Sequence, residues 1–112
     1  MKLKEDAELL RIFIGESDKY CGKPLYEAIV KLAREKGLTS ATVMRGIMGF
    51  GADSRLHTAK VLRLSEDLPI VVELIGHPER IEAFLPELDA MIQEGLMTLE
   101  KVQVIAYQSN TE

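Results

Sequence analysis

The glycine-rich stretch 45–51 (Arg-Gly-Ile-Met-Gly-Phe-Gly) carries the strongest signal for binding chemistry in this sequence. Gly46, Gly49 and Gly51 permit positive φ angles and a close approach of the backbone to a ligand. Successive free N–H groups in such a turn form a nest for an anion, and Arg45 would add a bidentate contact to a phosphate. The alternative is structural, because glycines at these positions also make a β-bulge or a tight exit from a strand. The spacing matches neither a P-loop nor a dinucleotide-binding fingerprint.

The remaining reactive side chains form weaker candidates. His57 lies in a long connection, where it could bind a phosphate or act as the general acid of an enzyme. Glu16 and Asp18 follow a predicted strand and are expected to be solvated turn residues rather than a catalytic pair. Cys21, His57 and His77 lack the spacing of zinc ligands, so no metal site is predicted. No residue is assigned a catalytic role.

Length and composition restrict the class of protein. The 112 residues suit one domain, and 46% hydrophobic with 29% charged residues is typical of a soluble globular chain. A net charge of −4 argues against nucleic-acid binding, which needs a basic surface. No apolar run is long enough to span a bilayer, and no secretory signal is visible. The one cysteine is consistent with a reducing cytoplasm, where we expect the protein.

The elements that must position these residues follow from periodicity and breakers. Short apolar runs predict strands over residues 9–14, 41–48, 70–75 and 102–106, and the alternating residues 60–64 are a candidate for a further short strand within the long connection between the second and third of these. Apolar residues at helical spacing predict two helices, which begin at Pro24 and Pro78 and end near Gly37 and Gly95. Pro86 is expected to kink or divide the second helix, because proline donates no backbone hydrogen bond.

The order of these elements predicts an α+β fold of the ferredoxin-like βαββαβ type. Its four-stranded antiparallel sheet would carry both helices on one face. The strand residues are apolar on both sides, which would leave a large apolar patch on the open face. We expect this patch to be buried in a cyclic homo-oligomer. The alternative is that the long connection folds back over it.

Several motifs in order resemble an uncharacterised bacterial and archaeal family that is classed as PII-like. Some members of this family are encoded beside fluoride exporters. The resemblance covers about residues 9–106 and includes His57. Its motifs are Arg-Ile-Phe-Ile-Gly-Glu (11–16), Lys-Pro-Leu-Tyr-Glu-Ala-Ile (23–29), Ala-Thr-Val-Met-Arg-Gly-Ile-Met-Gly-Phe-Gly (41–51) and Asp-Leu-Pro-Ile-Val-Val-Glu (67–73).

A more distant resemblance to PII signalling proteins implies a site. Those proteins are ferredoxin-like trimers that bind ATP or ADP between subunits, and a mobile loop docks on transporters or enzymes. By this resemblance Thr42 contacts the adenine or ribose, and the segment 95–98 occupies the place of a second phosphate loop. The C-terminal segment 106–112 lacks the arginines that PII proteins use there. The nucleotide-site residues expected in this chain are Thr42, Arg45, Gly46, Gly49, Phe50, Gly51, His57, Gly95 and Thr98.

The resemblance thus implies a non-catalytic regulatory protein with one domain, residues 1–112. The chain would form a homotrimer that binds AMP, ADP or ATP reversibly at subunit interfaces, without a tightly bound cofactor. A loop over about residues 50–69 would dock on a membrane transporter, an exporter or an enzyme. Two alternatives stay open: a small enzyme that acts on a phosphate ester through His57, and a purely structural interaction protein.

Overall fold

The computed structural model describes residues 2–51, 56–58 and 67–109. The predicted strand over residues 60–64 lies outside this part of the chain. The two helices are α1 (Leu25–Glu35) and α2 (Pro78–Met91). The strands are β1 (Lys2–Gly15), β2 (Lys19–Tyr20), β3 (Lys23–Pro24), β4 (Ser40–Arg45), β5 (Met48–Gly49), β6 (His57–Thr58), β7 (Pro69–Gly76) and β8 (Leu96–Ala106).

The main sheet confirms the predicted fold class. Its four strands lie in the order β4-β7-β1-β8, and every neighbouring pair is antiparallel. The short strands form two hairpins, β2 with β3 and β5 with β6. This is the βαββαβ arrangement with two helices and one four-stranded antiparallel sheet. Within the described residues, neither helix is long and apolar enough to cross a lipid bilayer.

The first and last strands of the sheet are longer than the sequence predicts. The first strand begins at Lys2 rather than at residue 9, and the last begins at Leu96 rather than at residue 102. The extra residues of each strand pair with the other strand, so that Ala7 lies opposite Val102 and Phe13 opposite Leu96. Polar residues such as Glu5 and Asp6 concealed this pairing, because a hydrogen-bonded ladder requires no apolar pattern on an exposed ribbon.

Helix α1 begins at Leu25, directly after Pro24, and α2 begins at the predicted Pro78 but differs from expectation further along. Pro78 occupies the first turn of α2, where its missing N–H costs nothing. Pro86 lies inside α2 without dividing it. The helix ends at Met91 rather than at Gly95, and the amide of Ile92 still donates to the carbonyl of Leu88 at 3.0 Å. Side chains buried against the sheet hold α2 together across the proline: Ile81, Phe84, Leu88 and Met91.

Gly37 ends α1 in the way that its sequence predicts. Its φ angle is +80°, a left-handed conformation that glycine adopts without a steric penalty. The amide of Gly37 donates to the carbonyl of Arg34 at 3.2 Å, and the amide of Leu38 donates to that of Ala33 at 3.1 Å. This pair of bonds is a Schellman motif, which satisfies carbonyl groups at the end of the helix.

The hydrophobic core lies between the helices and one face of the sheet. Residues of β7 alternate between half-buried and buried, as expected for a strand with one covered face. The buried positions of β1 and β7 contact the apolar stripes of the two helices. The largest fully buried side chains are Phe84, Leu10, Ile12, Ile29, Leu74, Ile81, Leu88 and Val72.

The opposite face of the sheet has no helix over it among the described residues and is also largely apolar. We call this surface the open face. Strand alternation places on it Leu9, Phe13, Val71, Ile75, Met44 and Leu96. Met44 is 43% exposed and Leu96 is 59% exposed, so the chain alone leaves apolar surface in contact with water. The predicted apolar character of this face is therefore present.

A buried carboxyl in β1 generates a prediction about stability. Glu8 is 5% exposed, and its Oε1 has no hydrogen-bond partner among the described residues. Because burial of an unpaired polar atom is unfavourable, Glu8→Met should raise the free energy of unfolding by about 1 kcal/mol. Urea denaturation at one fixed protein concentration measures this change. Glu82→Met, at an exposed position of α2, is the control and should change stability by about 0.5 kcal/mol or less. A clear loss of stability in Glu8→Met would show that this carboxyl has a favourable partner.

Candidate functional site

A cavity of about 360 Å³ lies at the end of the sheet where β1 and β4 end and where β7 and β8 begin. Its volume is within the range of ligand sites, roughly 300–1,000 Å³. Its lining is Phe13, Ile14, Gly15, Asp18, Gly46, Met48, Gly49, Phe50, Gly51, Asp67, Pro69, Val71, Glu94 and Gly95. The cavity thus brings together the glycine stretch after β4 and Gly95 before β8, which the resemblance to PII proteins placed in one site.

The glycines of the stretch 45–51 serve different purposes. Added Cβ atoms at Gly46 and Gly49 would lie 3.4 and 3.1 Å from Pro69 side-chain atoms, so these glycines admit the close approach of Pro69. The amide of Gly46 donates to the carbonyl of Pro69 at 2.7 Å and is therefore not available to an anion. Gly51 differs, because a Cβ there would meet nothing within 4 Å. The described residues with positive φ are Cys21, Gly22 and Gly37, so positive φ is not the reason for the glycines at 46, 49 and 51.

Gly95 is required by packing against β1. A Cβ at this position would lie 2.9 Å from the carbonyl oxygen of Phe13 and 3.2 Å from the side chains of Ile14 and Ile92. A backbone oxygen cannot move aside as a flexible side chain can. Gly95 therefore lets the chain between α2 and β8 pass close to the end of β1, and this approach forms one wall of the cavity.

Carboxylates also line the cavity, and sequence reasoning missed their role. Asp18 Oδ2 accepts a hydrogen bond from the amide of Gly15 at 3.0 Å, and Asp67 Oδ1 accepts one from the amide of Ser17 at 3.0 Å. Both aspartates are only partly exposed, whereas Glu94 is exposed at the rim. Asp18 was expected to be a solvated turn residue, but it is anchored to the backbone and forms part of the lining. Asp67 was visible in the sequence only as a residue before Pro69.

Arg45 lies beside the cavity and not in its lining. Its Nη2 donates to Glu16 Oε2 in an ion pair. The Glu16 side chain is 19% exposed, and that of Arg45 is 61% exposed. The guanidinium is therefore paired within the chain, although it remains accessible to solvent.

Thr42 and Thr98 lie elsewhere, on the open face. The register places Thr42 opposite Glu73, Glu73 opposite Arg11, and Arg11 opposite Thr98, which forms one row across all four strands. Three strand spacings separate the two threonines by about 14 Å. A single chain therefore does not bring Thr42 and Thr98 to a common site.

The centre of this row is a charge cluster that sequence reasoning also missed. Arg11 Nε donates to Glu73 Oε2 at 2.9 Å, and Arg11 Nη1 donates to Glu100 Oε1 at 3.0 Å. The hydrogen bond to Glu73 is the largest cause of the raised pKa of Arg11; it outweighs desolvation, and the charge of Glu100 raises the pKa further. Charged residues at outward positions of apolar strands were the signal that could have revealed this cluster.

His57 pairs with Gly49 through the backbone of the β5–β6 hairpin. Its side chain lies outside what the structure describes, as does most of the predicted loop over residues 50–69. Three apolar side chains in this region are strongly exposed: Ile47 at 78%, Phe50 at 72% and Leu56 at 61%. The hairpin therefore presents apolar surface directly beside the cavity.

A second groove, of about 430 Å³, lies between the helices. Tyr20, Leu32, Glu87 and Met91 contribute to its walls. It contains none of the residues that the sequence predicts for the site. The cavity at the end of the sheet is therefore the candidate functional site.

The fold is that of the PII-like proteins. One similar structure is that of CPII, a nitrogen regulatory PII-like protein from Thiomonas intermedia K12, bound to ADP, AMP and bicarbonate. It is 18% identical in sequence and gives a TM-score of 0.62, and the match covers 93% of this chain and 92% of CPII. The apo form of CPII gives a TM-score of 0.54 at 17% identity, over 93% of this chain and 97% of CPII. A PII-like protein from Thermus thermophilus gives a TM-score of 0.65 at 17% identity, over 91% of this chain and 92% of that protein.

The chain belongs to the family described as "Uncharacterized ACR, COG1993" (DUF190), whose model matches residues 7–104. A UPF0166 protein of Aquifex aeolicus (strain VF5) is 43% identical over 98 residues, which is 88% of this chain and 92% of the relative. A UPF0166 protein of Methanocaldococcus jannaschii is 33% identical over 99 residues, 88% of this chain and 91% of the relative. The resemblance to an uncharacterised PII-like family is confirmed.

The contrast between two glycines of the cavity is testable. Gly95→Ala should lower the free energy of unfolding by about 1–3 kcal/mol, because the new Cβ would press on the carbonyl of Phe13. Gly51→Ala should change stability by about 0.5 kcal/mol or less, because its Cβ would enter open space. Urea denaturation of both variants measures the difference. Equal effects of the two substitutions would contradict these assigned roles.

Proposed function

We propose that this chain is a non-catalytic PII-like regulatory protein of the cytoplasm that forms a homotrimer and binds an adenine nucleotide between its subunits. The observation that carries the proposal is the cavity at the end of the sheet, whose lining includes Phe50 and Gly51 of the glycine stretch. Binding there would alter the adjoining loop and thereby its docking on a transporter or an enzyme. A ligand changes the conformation of a loop only if it binds one arrangement of that loop more tightly than another.

The lining of the cavity is compatible with a nucleotide. Phe13, Met48, Phe50 and Val71 provide apolar and aromatic surface for a base, and the open space at Gly51 allows a ligand to approach the backbone. The bound ADP and AMP in the CPII structure support the choice of an adenine nucleotide. Arg45 at the margin is a cation that a phosphate could contact after exchange with Glu16.

The open face supports association of the chain with itself. Phe13, Val71 and Ile75 are half-buried there, and Met44 and Leu96 are exposed. Burial of such a surface favours association. Thr42 and Thr98 lie at opposite edges of the sheet, so they contribute to one nucleotide site only if two copies bring their edges together. In a cyclic trimer the edge with Thr42 of each copy would meet the edge with Thr98 of the next copy, so the same contact would form three such sites.

The β5–β6 hairpin supports a role in partner docking. Exposed Phe50 belongs to the cavity lining, and exposed Leu56 lies across the same hairpin. A ligand in contact with Phe50 would therefore act directly on the apolar residues that a partner would bury. The partner would be a membrane transporter, an exporter or an enzyme.

Self-association through the open face can be tested with a matched pair of substitutions. Ile75→Asp places a charge on the open face, whereas Ile47→Asp places one on the exposed hairpin. Sedimentation equilibrium should give three chain masses for the unmodified protein and for Ile47→Asp, but one chain mass for Ile75→Asp. Circular dichroism checks that both variants fold. A monomeric unmodified protein would remove the trimer from the proposal.

Nucleotide binding can be tested with a side chain added at the open position. Gly51→Leu should weaken the binding of AMP or ADP at least about tenfold, because the leucine would occupy the cavity without a clash in the empty protein. Ala83→Leu, on the exposed side of α2, is the control and should bind normally. Titration calorimetry measures both affinities. If no adenine nucleotide binds to the unmodified trimer, a purely structural interaction protein becomes the better interpretation.

A further inference from the structure

The charge of the cavity lining bears on which ligand it accepts, given the nucleotide site proposed above. The polar side chains among its described residues are Asp18, Asp67 and Glu94, and all three are acids. Arg45 is engaged with Glu16 outside the lining. The described walls thus present negative charge to a ligand instead of the positive charge that a polyphosphate requires.

The two aspartates are fixed in position before any ligand arrives. Asp18 Oδ2 and Asp67 Oδ1 each accept a backbone N–H at 3.0 Å. Both side chains lean over Gly15, since a Cβ there would lie 2.6 Å from Asp67 Oδ1 and 3.3 Å from Asp18 Oδ1. A carboxylate has more lone pairs than one such bond uses. Each aspartate can therefore still accept a hydrogen bond from a ligand in the cavity.

Carboxylates favour groups that donate hydrogen bonds. The amino group of a base and the hydroxyls of a ribose are donors, whereas ionised phosphate oxygens are negatively charged acceptors. No three acidic, imidazole or thiol groups converge as a metal site in the described part of the chain.

We propose that this cavity is a nucleoside-recognition pocket whose carboxylates select against negative charge, so that it prefers a nucleoside or nucleoside monophosphate to the di- and triphosphate. The base and ribose lie against Asp18 and Asp67, and any phosphate points away from them. The pocket thereby distinguishes nucleotides by their phosphate number and responds to the least phosphorylated forms.

The experiment is calorimetric titration of the full chain with adenosine, AMP, ADP and ATP at low salt without divalent cations. Affinity should fall about sixfold for each added unit of negative charge, as expected for unit charges about 8 Å apart at an effective dielectric constant of about 40. The differences should shrink at high salt, because ions screen the repulsion. Addition of Mg²⁺, which neutralises part of the polyphosphate charge, should also reduce them.

Charge-neutral variants identify the carboxylates responsible. In Asp67→Asn and Asp18→Asn the Kd ratio of ATP to adenosine should fall at least about threefold, while the amide oxygen can still accept the backbone N–H. Glu94→Gln should also lower the Kd ratio of ATP to adenosine, and this position is exposed, so that the substitution does not endanger folding. Asp89→Asn, on the exposed side of α2, is the control and should leave the ratio unchanged.

The outcomes separate this proposal from the general one. If ATP binds more tightly than AMP and adenosine without divalent cations, the charge selection is wrong while nucleotide binding stands. If the Kd ratio is the same in all three acid variants as in the unmodified protein, these carboxylates do not select the ligand. If none of the four ligands binds, the proposed nucleotide function fails, and this selectivity fails with it.

Discussion

The sheet has two apolar faces, and the described elements cover only one of them. Helices α1 and α2 bury the side that contains Ile12, Val72 and Leu74, and this burial holds the four strands in one register. The same register brings the ends of β1 and β4 and the starts of β7 and β8 to one edge, where the candidate cavity forms. The uncovered face continues into the cavity through Phe13 and Val71. Any association on that face would therefore also change the surroundings of the cavity.

The Arg11–Glu73–Glu100 cluster gives the open face a polar centre. In the single chain these side chains are partly exposed, and ion pairs in water contribute little to stability. Burial between copies would remove water from three charged groups, which is costly unless every group keeps its partners. Such a cluster would favour one relative orientation of two copies over the others, which a purely hydrophobic contact would not do. Its contribution would thus be to the specificity of association rather than to its strength.

The sequence predicted those parts of the fold that depend on local pattern. The helix starts beside Pro24 and at Pro78, the stop at Gly37 and the apolar run of β7 each follow from a few neighbouring residues. The first residues of β1 could not be found in this way, because their pairing with β8 involves residues at the other end of the chain. The carboxylates of the cavity were missed for the same reason: Asp18 and Asp67 meet only after the end of β1 and the start of β7 become neighbours.

Glycine shows why a motif alone did not define the site. Gly37 is needed for a left-handed backbone, Gly95 for contact with a carbonyl oxygen, and Gly51 for neither of these reasons. In sequence the three are indistinguishable, and the grouping of Gly46 and Gly49 with Gly51 suggested an anion nest. The hydrogen bond from Gly46 to Pro69 removes part of that nest, and the nearby acids oppose a phosphate there. Under the proposal, the same residues would form the wall of a pocket for the base and ribose rather than a phosphate-binding loop.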